Sequence, residues 1–323
     1  MTNKKSTYRA GDARGRTGSG PAGGEIAPAH RAARRRGASQ AATARSAAAL
    51  ITGCSSGIGH AAALRLSSAG FDVYASARRP EALEDLTAAG ITTVRLDVTD
   101  ERSMRDVIAR ITAEHGALGI LVNNAGFELA GPVEEVPLAE AHRLFDTNVF
   151  GLARLTQLAI PCMREAGGGR IINLSSVFGR FAVPGNAYYA ASKHAVDAIS
   201  ESLRLELAPF GIQVILIEPT ATRTRLNANT SWPAGDTAGP YSNFRRSLED
   251  WRARTYAGPP HNIAGRFAVS ADQVAAVITR AATSRHPHAH YPVGTLARGL
   301  FLLRRWLPGP AFDAFVRTQF PAP

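Results

Sequence analysis

The segment Ala47-Ala-Ala-Leu-Ile-Thr-Gly-Cys-Ser-Ser-Gly-Ile-Gly59 decides the fold of this chain. An apolar run typical of a buried strand leads directly into three glycines, and a helical pattern follows over residues 57–68. Glycines in this position permit a tight turn and let the backbone N–H groups at the start of a helix face a phosphate. Three glycines can also form an ordinary turn, but the strand before them and the helix after them favour a phosphate-binding loop. Its predicted contact residues are Gly53, Ser55, Ser56, Gly57, Ile58 and Gly59.

Outward from this loop, short β-prone runs alternate with longer segments of helical periodicity. This alternation is typical of an α/β domain in which a parallel sheet carries helices on both faces. We predict a single Rossmann-type, doubly wound domain with a seven-stranded parallel sheet. The predicted strands are residues 47–52, 71–76, 91–96, 118–123, 170–175, 212–218 and 289–293. The clearest predicted helices cover 57–68, 103–114, 139–163 and 189–208, and Gly70, Gly90, Gly116 and Gly211 follow helical segments as C-terminal caps.

The predicted domain covers residues 47–294, and two regions depart from its rhythm. Residues 220–265 are rich in Pro, Gly, Asn, Thr and aromatic residues, as in the long irregular insertions that serve as lids over binding sites. Residues 295–323 form a C-terminal extension in which apolar residues mix with arginine in an amphipathic pattern. We expect this extension to cap the substrate entrance. Contact with an anionic membrane surface is the alternative.

Most of the net positive charge of the chain lies in its first 46 residues. They hold ten Lys or Arg against Asp12 and Glu25, and therefore carry eight of the eleven net positive charges of the 323-residue chain. The segment lacks apolar periodicity and a secretory apolar run, so it is predicted to be a disordered basic tail. An arm that binds polyanions through Arg34, Arg35 and Arg36, or an organellar transit peptide, remains open. No nucleic-acid partner is expected for the domain itself.

The remaining composition indicates a cytoplasmic protein without a disulfide framework. Cys54 and Cys162 are far apart, and no second pair suggests a disulfide or zinc site. His286, His288 and His290 alternate near the last strand, but without nearby carboxylates or cysteines no metal is expected. No stretch reaches the roughly 18 apolar residues of a membrane span.

The ends of the next three strands carry residues suited to a dinucleotide. The second strand ends in Ala75-Ser-Ala-Arg-Arg79, with Arg78 where an acidic residue would otherwise accept hydrogen bonds from the adenine ribose. An arginine fork pairs with a 2′-phosphate, so NADP(H) is favoured over NAD(H), although both arginines could be exposed loop charges. Asp97 and Val98 end the third strand, and Asn124, Ala125 and Gly126 follow the fourth. These residues are predicted to contact the cofactor.

A second group of residues has the functional groups for proton transfer. Tyr189 and Lys193 are four apart on a predicted helix and share one face, and Ser176 ends the fifth strand thirteen residues before the tyrosine. A hydroxyl that donates to a carbonyl, a phenol that exchanges its proton and a cation that stabilises the phenolate suffice for carbonyl–alcohol interconversion.

These motifs together resemble the classical short-chain dehydrogenases/reductases, which carry T-G-x-x-x-G-x-G, N-N-A-G, and a serine about thirteen residues before Y-x-x-x-K. The similarity covers roughly residues 46–294 and is strongest to the 17β-hydroxysteroid and retinol dehydrogenase subgroup. It implies that Ser176 polarises the substrate oxygen, that Tyr189 is the general acid/base, and that Lys193 binds the nicotinamide ribose. It also implies that Asn148 helps to hold a water for proton relay and that the protein is a homodimer or homotetramer.

One departure from the family pattern is Glu218-Pro219-Thr220, where many members have Pro-Gly. Pro219 and Thr222 are the predicted nicotinamide contacts, with Thr224 as the alternative to Thr222. The aromatic residues Trp232, Tyr241, Phe244, Trp251 and Tyr256 either cover a hydrophobic substrate or form the core of the lid. The prediction is an oxidoreductase for a lipophilic ketone, aldehyde or alcohol. The rival hypothesis is a catalytically silent NADP(H) sensor or scaffold.

Overall fold

The computed structural model describes residues 46–224, 230–233, 238–256 and 263–323. The predicted tail therefore lies outside the described residues, apart from Ser46. Within these ranges the main sheet has seven parallel strands. They are β1 (Ala48–Ile51), β2 (Asp72–Ala77), β3 (Thr92–Arg95), β4 (Ile120–Asn123), β5 (Gly169–Leu174), β6 (Ile212–Pro219) and β7 (His290–Val293).

The spatial order of the strands is β3-β2-β1-β4-β5-β6-β7, so the direction of winding reverses between β1 and β4. The register runs from Ala49 opposite Ile120 at this reversal to Leu216 opposite His290 at the far edge. A crevice opens at the carboxyl ends of strands where the order reverses, which is where open α/β sheets bind their ligands. The sheet thus confirms the predicted fold and places the glycine loop at this crevice.

Helices cover both faces of the sheet. They are α1 (Gly57–Ser68), α2 (Glu84–Ala88), α3 (Glu101–His115), α4 (Leu138–Phe145), α5 (Leu152–Glu165), α6 (Ala187–Leu207), α7 (Ser242–Tyr256), α8 (Ile263–Arg266), α9 (Ala271–Thr283), α10 (Thr295–Trp306) and α11 (Gly309–Gln319). The predicted cap glycines are left-handed, with φ of 92° at Gly70, 78° at Gly90, 75° at Gly116 and 70° at Gly211. None of the helices in the described ranges combines the length and hydropathy needed to cross a bilayer.

The two faces of the sheet bury separate apolar cores. In β1, Ala49 and Ile51 belong to one core, whereas Ala48 and Leu50 belong to the other, because successive side chains of a strand point to opposite faces. Continuous apolar strands are therefore required, as the sequence predicted.

Helices α1 and α9 pack together over the first of these cores. Arg65 of α1 also forms a two-pronged ion pair with Asp272 of α9, with both N···O distances at 2.6 Å. The helix that begins at the glycine loop is therefore held by a segment more than 200 residues further along the chain.

The segment 220–265 is more regular than its composition suggests. It contains α7, because Phe244, Leu248 and Thr255 lie close to one face at helical spacing and are buried. Thr222–Arg223 also pairs in parallel with Val269–Ser270. The described part of the predicted irregular insertion thus includes a helix and a strand pair, because buried residues at helical spacing outweigh the local abundance of turn-forming residues.

The C-terminal extension folds into α10 and α11 and packs against the chain that follows β5. Phe312 and Val316 of α11 join Val177, Phe181 and Val183 in one buried cluster. The extension therefore lies against the segment that begins at Ser176.

Candidate active site

One cavity of about 750 Å³ opens along the carboxyl ends of the strands. All predicted site residues line it except Gly59 and Asn148. Those that line it are Gly53, Ser55, Ser56, Gly57, Ile58, Arg78, Asp97, Val98, Asn124, Ala125, Gly126, Ser176, Tyr189, Lys193, Pro219 and Thr222.

The glycine loop has the geometry of a phosphate site. Gly53 and Gly57 adopt φ of 72° and 62°, which strongly favours glycine. The N-cap residue of α1, Ser56, makes no side-chain capping hydrogen bond, so the first N–H groups of this helix have no side-chain cap there. These groups and the positive end of the helix dipole suit a pyrophosphate.

Gly59 has a packing role instead of a cavity contact. A Cβ atom there would lie 2.4 Å from the carbonyl oxygen of Gly53 and 2.5 Å from Nδ2 of Asn124. The close approach of α1 to the loop therefore requires a glycine.

Thr52 and Asn124 connect the ends of β1 and β4 beneath the loop. The Thr52 hydroxyl accepts hydrogen bonds from the backbone N–H groups of Asn124 at 3.0 Å and Ala125 at 2.9 Å. In return, Nδ2 of Asn124 donates to the carbonyl oxygens of Thr52 at 2.8 Å and Gly53 at 3.1 Å. Thr52 belongs to the glycine-loop motif but was not predicted as a site residue. In the structure its hydroxyl positions the backbone of Asn124 and Ala125.

The opposite end of the cavity fits the adenosine part of a dinucleotide. Arg78 and Arg79 are exposed directly after β2, and neither forms an ion pair within the described ranges. Asp97 uses one carboxylate oxygen to accept from the N–H and hydroxyl of Thr99, at 3.0 and 2.8 Å. The charge after β2 is therefore positive, as a 2′-phosphate requires.

Tyr189 and Ser176 meet at the chemical end of the cavity. The tyrosine is 8% exposed on α6, and its phenol is hydrogen-bonded with the Ser176 hydroxyl. Ser176 also accepts a hydrogen bond from the Phe178 N–H at 3.2 Å, which caps the short helical turn after β5. Burial raises the pKa of the Tyr189 phenol well above its usual range, and the nearby Glu128 carboxylate raises it further.

Lys193 lies one helical turn from the tyrosine, as the spacing predicted. Its Nζ is 5.6 Å from the centre of the Tyr189 ring and donates to the carbonyl oxygen of Leu174 at 2.7 Å. Burial lowers the pKa of the ammonium to about 8, against the opposing effect of the Asp197 carboxylate. An ammonium has three donors, so the bond to Leu174 fixes the side chain and leaves further donors for a ligand.

Asn148 lies in a π-helical turn, Asp146–Gly151, between α4 and α5. Its Nδ2 donates to the carbonyl oxygen of Phe127 at 2.9 Å, and its Oδ1 accepts from the Phe127 N–H at 3.1 Å. A further bond joins Nδ2 to the Ser192 hydroxyl of α6 at 3.3 Å. The side chain of Asn148 thus connects three segments around the cavity without lining it. Such π-turns interrupt helices frequently at functional sites.

Thr220, which stands where many family members have glycine, directs its side chain toward the end of β7. The hydroxyl donates to the Val293 carbonyl oxygen at 3.4 Å, and a Cβ at Gly294 would lie 2.8 Å from that hydroxyl. The space for Thr220 is therefore provided by a glycine on the neighbouring strand end. Thr222 follows, with its hydroxyl donating to the Thr220 carbonyl oxygen at 2.9 Å.

Among the aromatic residues of the predicted lid, Tyr256 lines the cavity. Phe244 is buried in the lid, and Trp251 packs on Phe320 with a ring-centre distance of 5.0 Å. These aromatic residues are therefore divided between the cavity wall and the protein core. Phe127 and Phe178, which the sequence reasoning missed, also line the cavity.

A buried ion pair also escaped the sequence reasoning. Glu128, 4% exposed, receives two hydrogen bonds of 2.7 Å from the guanidinium of Arg252, which is 8% exposed. Arg252 donates to the Thr230 hydroxyl at 2.8 Å, and its guanidinium lies 5.6 Å from the ring centres of both Trp232 and Tyr256. The two partners are 124 residues apart, and no local pattern relates them.

A second buried charge cluster lies behind Lys193. The Arg180 guanidinium is 3.0 Å from the Glu218 carboxylate and 3.4 Å from that of Asp197, one turn beyond Lys193 on α6. Burial raises the pKa of Asp197 to about 6.

Comparison with known proteins agrees with this geometry. The sequence model of the family described as short chain dehydrogenase matches residues 47–233. The uncharacterized oxidoreductase YbbO of Escherichia coli (strain K12) is 36% identical over 269 residues, covering 83% of this chain and 93% of that protein. Retinol dehydrogenase 5 of Mus musculus is 31% identical over 299 residues, covering 84% and 88%.

A solved structure is also similar. A short-chain dehydrogenase from Streptomyces avermitilis superimposes with a TM-score of 0.68 at 32% identity, covering 84% of this chain and 94% of that one. Proteins of this family bind NAD(P)(H). The chain therefore belongs to the short-chain dehydrogenase/reductase family, with retinol dehydrogenase among its relatives, and is an oxidoreductase that acts on CH–OH groups.

Proposed function

We propose that this protein uses NADP(H) to interconvert a hydrophobic ketone or aldehyde with the corresponding alcohol. The observation that carries the proposal is the meeting of Ser176, Tyr189 and Lys193 at one end of a cavity whose other end has a phosphate-binding loop. The Ser176 and Tyr189 hydroxyls bond to each other, so a substrate oxygen placed against both would exchange this one contact for two.

Each member of the set has a separate role in proton transfer. The Ser176 hydroxyl donates to the substrate oxygen, and the Tyr189 phenol delivers its proton to that oxygen during reduction or removes it during oxidation. The cofactor supplies or accepts the hydride when bound. Asn148 is held by Phe127 and Ser192 and connects the segments around the cavity. We propose that it also helps to position a water for the proton relay.

Lys193 has to offset the effect of burial on the tyrosine. Bringing an ordinary phenol from a pKa of about 10 to about 7 takes roughly 4 kcal/mol of preferential phenolate stabilisation, and burial increases the requirement. The ammonium, fixed by Leu174 at 2.7 Å, supplies positive charge beside the ring. We propose that its remaining donors bind the nicotinamide ribose.

Arg78 supports the choice of NADP(H). It lines the cavity directly after β2, is exposed, and is followed by a second arginine in place of the acid that would repel a 2′-phosphate. Gly53, Gly57 and the start of α1 are proposed to hold the pyrophosphate, and Asp97, Val98, Asn124, Ala125 and Gly126 to line the rest of the dinucleotide path. Pro219 and Thr222 remain our proposed carboxamide contacts.

A lipophilic substrate is supported by the rings at the chemical end. Phe127, Phe178 and Tyr256 line the cavity, and Phe178 lies edge-on to Tyr189 at 6.4 Å. Phe320, which follows α11, meets Phe178 edge-on with a ring-centre distance of 6.4 Å and so brings the C-terminal extension to the same wall. This contact favours the cap over a membrane-binding role for the extension. The relative named retinol dehydrogenase is in keeping with such a substrate.

The test is the reduction of octanal, acetophenone and retinal with NADPH or NADH, followed by cofactor absorbance. We expect faster reduction with NADPH and a loss of at least about a hundredfold in Tyr189→Phe. Undiminished activity in Tyr189→Phe would refute the mechanism. Tight NADPH binding without reduction of any carbonyl would instead favour the sensor hypothesis. Light scattering of the purified protein tests the homodimer or homotetramer that family resemblance implies.

A further inference from the structure

The Glu128–Arg252 ion pair joins helix α7 of the predicted lid to the wall of the cavity. Glu128 lies in the chain after β4 and lines the cavity, while Arg252 belongs to the lid helix α7. The chain after β4 also bonds to residues 230–233, since the Ser231 N–H donates to the Glu128 carbonyl oxygen at 2.8 Å and the Ala130 N–H donates to that of Ser231 at 3.1 Å. The pair is thus part of a rigid junction.

The need to attach α7 does not by itself explain why the buried charges of Glu128 and Arg252 lie at the cavity. A buried ion pair carries a large desolvation cost, and apolar residues of the same volume often hold a structure at least as well. A second pair between the same segments, Arg245 with Glu135 at 3.1 Å, already fastens α7. The position of the Glu128–Arg252 pair therefore needs a different reason.

That position is on the cavity wall that Tyr189 also lines: Leu129, next to Glu128, shares a buried cluster with Tyr189, and the Arg252 guanidinium lies 5.6 Å from the ring centre of Tyr256 on the same wall. The charged and titratable groups around the phenol are Glu128 after β4, Arg252 and Tyr256 of α7, and Lys193 of its own helix, with the Ser176 hydroxyl after β5. Glu128 disfavours the phenolate and Arg252 favours it, so their effects oppose one another. Glu135 and Arg245 are both described, and unlike Glu128 neither lines the cavity that Tyr189 lines.

We infer that Glu128 and Arg252 are positioning residues that balance charge beside Tyr189, so that the proton affinity of the phenol depends on the lid arginine being paired with the carboxylate. Arg252 offsets the repulsion between Glu128 and a phenolate, and Glu128 offsets the attraction of Arg252 for that phenolate. The inference rests on the proposed function, because it requires Tyr189 to exchange a proton with substrate.

The test is the pH dependence of alcohol oxidation with NADP⁺, using the alcohol that corresponds to the fastest substrate among octanal, acetophenone and retinal. In this direction the phenol must lose its proton, so the acidic limb of the profile reports its proton affinity. We expect Arg252→Gln to move this limb to higher pH by about one unit and Glu128→Gln to move it to lower pH by a similar amount. The double variant should return close to wild type.

The variants Glu135→Gln and Arg245→Gln are matched controls, because they break the other ion pair between the same two segments. Both control variants should leave the acidic limb of the pH profile at the wild-type pH. Shifts in the same direction for Glu128→Gln and Arg252→Gln, no shift in either, or equal shifts in the controls would overturn the inference. Should Arg252→Gln fail to fold, Glu128→Gln decides alone, because its carboxamide keeps the shape of the side chain while removing the charge.

Tyr189→Phe separates this inference from the proposed function. Retained activity in that variant, or no carbonyl reduction by wild type, refutes the proposed function. If Tyr189→Phe loses activity while the acidic limb of the pH profile stays in place in Glu128→Gln and Arg252→Gln, the charge-balance inference is refuted and the proposed function stands.

Discussion

Replacing Gly59 by alanine would bring a Cβ atom to 2.4 Å from the Gly53 carbonyl oxygen, 2.5 Å from Asn124 Nδ2 and 2.9 Å from the Gly53 carbonyl carbon. Real Cβ atoms do not approach other atoms so closely. The amide of Asn124 cannot simply turn away, because it donates to the carbonyl oxygens of both Thr52 and Gly53. Either α1 or the glycine loop has to shift.

The size of the effect follows from two opposing contributions. Overpacking of this kind costs about 1–3 kcal/mol or more, and the backbone nature of the clash favours the upper part of that range. Alanine regains up to about 1 kcal/mol of helix propensity over glycine. We therefore expect Gly59→Ala to lower the free energy of unfolding by about 2 kcal/mol. Since the shift also displaces the phosphate-binding N–H groups, NADPH affinity should fall at least about tenfold.

Urea unfolding followed by tryptophan fluorescence, together with an NADPH fluorescence titration, measures both quantities. Gly299→Ala is the matched control, because nothing lies within 4 Å of a Cβ at that position of α10. It should raise stability by about 0.5–1 kcal/mol and leave NADPH binding unchanged. A Gly59→Ala protein that unfolds within about 0.5 kcal/mol of wild type and binds NADPH normally would show the reasoning about the loop to be mistaken.

Two further changes test the cofactor end and the charges behind the lysine. Arg78→Ala should raise the KM for NADPH by about ten- to a hundredfold, because a charge-assisted hydrogen bond is worth about 1.5–3 kcal/mol, and should leave the KM for NADH unchanged. Equal changes for the two cofactors would disprove the phosphate contact. Asp197 has a pKa raised to about 6 in the folded protein, so its contribution to stability is present below about pH 4 and is lost as the pH rises through 6. Between pH 4 and 7 the unfolding free energy of the wild type should therefore fall by about 2 kcal/mol relative to that of Asp197→Asn, and the same pH dependence of urea unfolding in the two proteins would contradict this.

The strands of the sheet were predicted well because each strand depends mainly on the residues within it. Each strand is a short apolar run, and glycines such as Gly70 and Gly116 mark the helix ends by their left-handed backbone. The helix predicted for residues 139–163 also exists, but its π-turn at Asp146–Gly151 has no signature in the apolar spacing. That turn depends on tertiary contacts, such as the close approach of Gly151 to the Val98 carbonyl oxygen.

The motif residues of the site were predictable because strand ends collect at one edge of the sheet. Gly59 and Asn148 belong to the same motifs but lie off the cavity wall, since a motif does not separate residues that contact a ligand from residues that hold those contacts in place. Glu128 and Arg252 were not predictable, because the proximity of a carboxylate and a guanidinium 124 residues apart is created only by the folded lid. Asp197 and Glu218 were missed for the same reason.

The packing of α1 on α9 limits how this protein can be divided. The phosphate-binding helix buries Ala62 and Leu66 in a core shared with Ile278, and Arg65 is paired with Asp272. A fragment that ended after β3 would contain the complete glycine loop and Arg78, yet its first helix would expose the surface that α9 normally covers. The nucleotide-binding half is therefore not a transferable module, and a chimaera that borrows it has to bring the α9 segment as well.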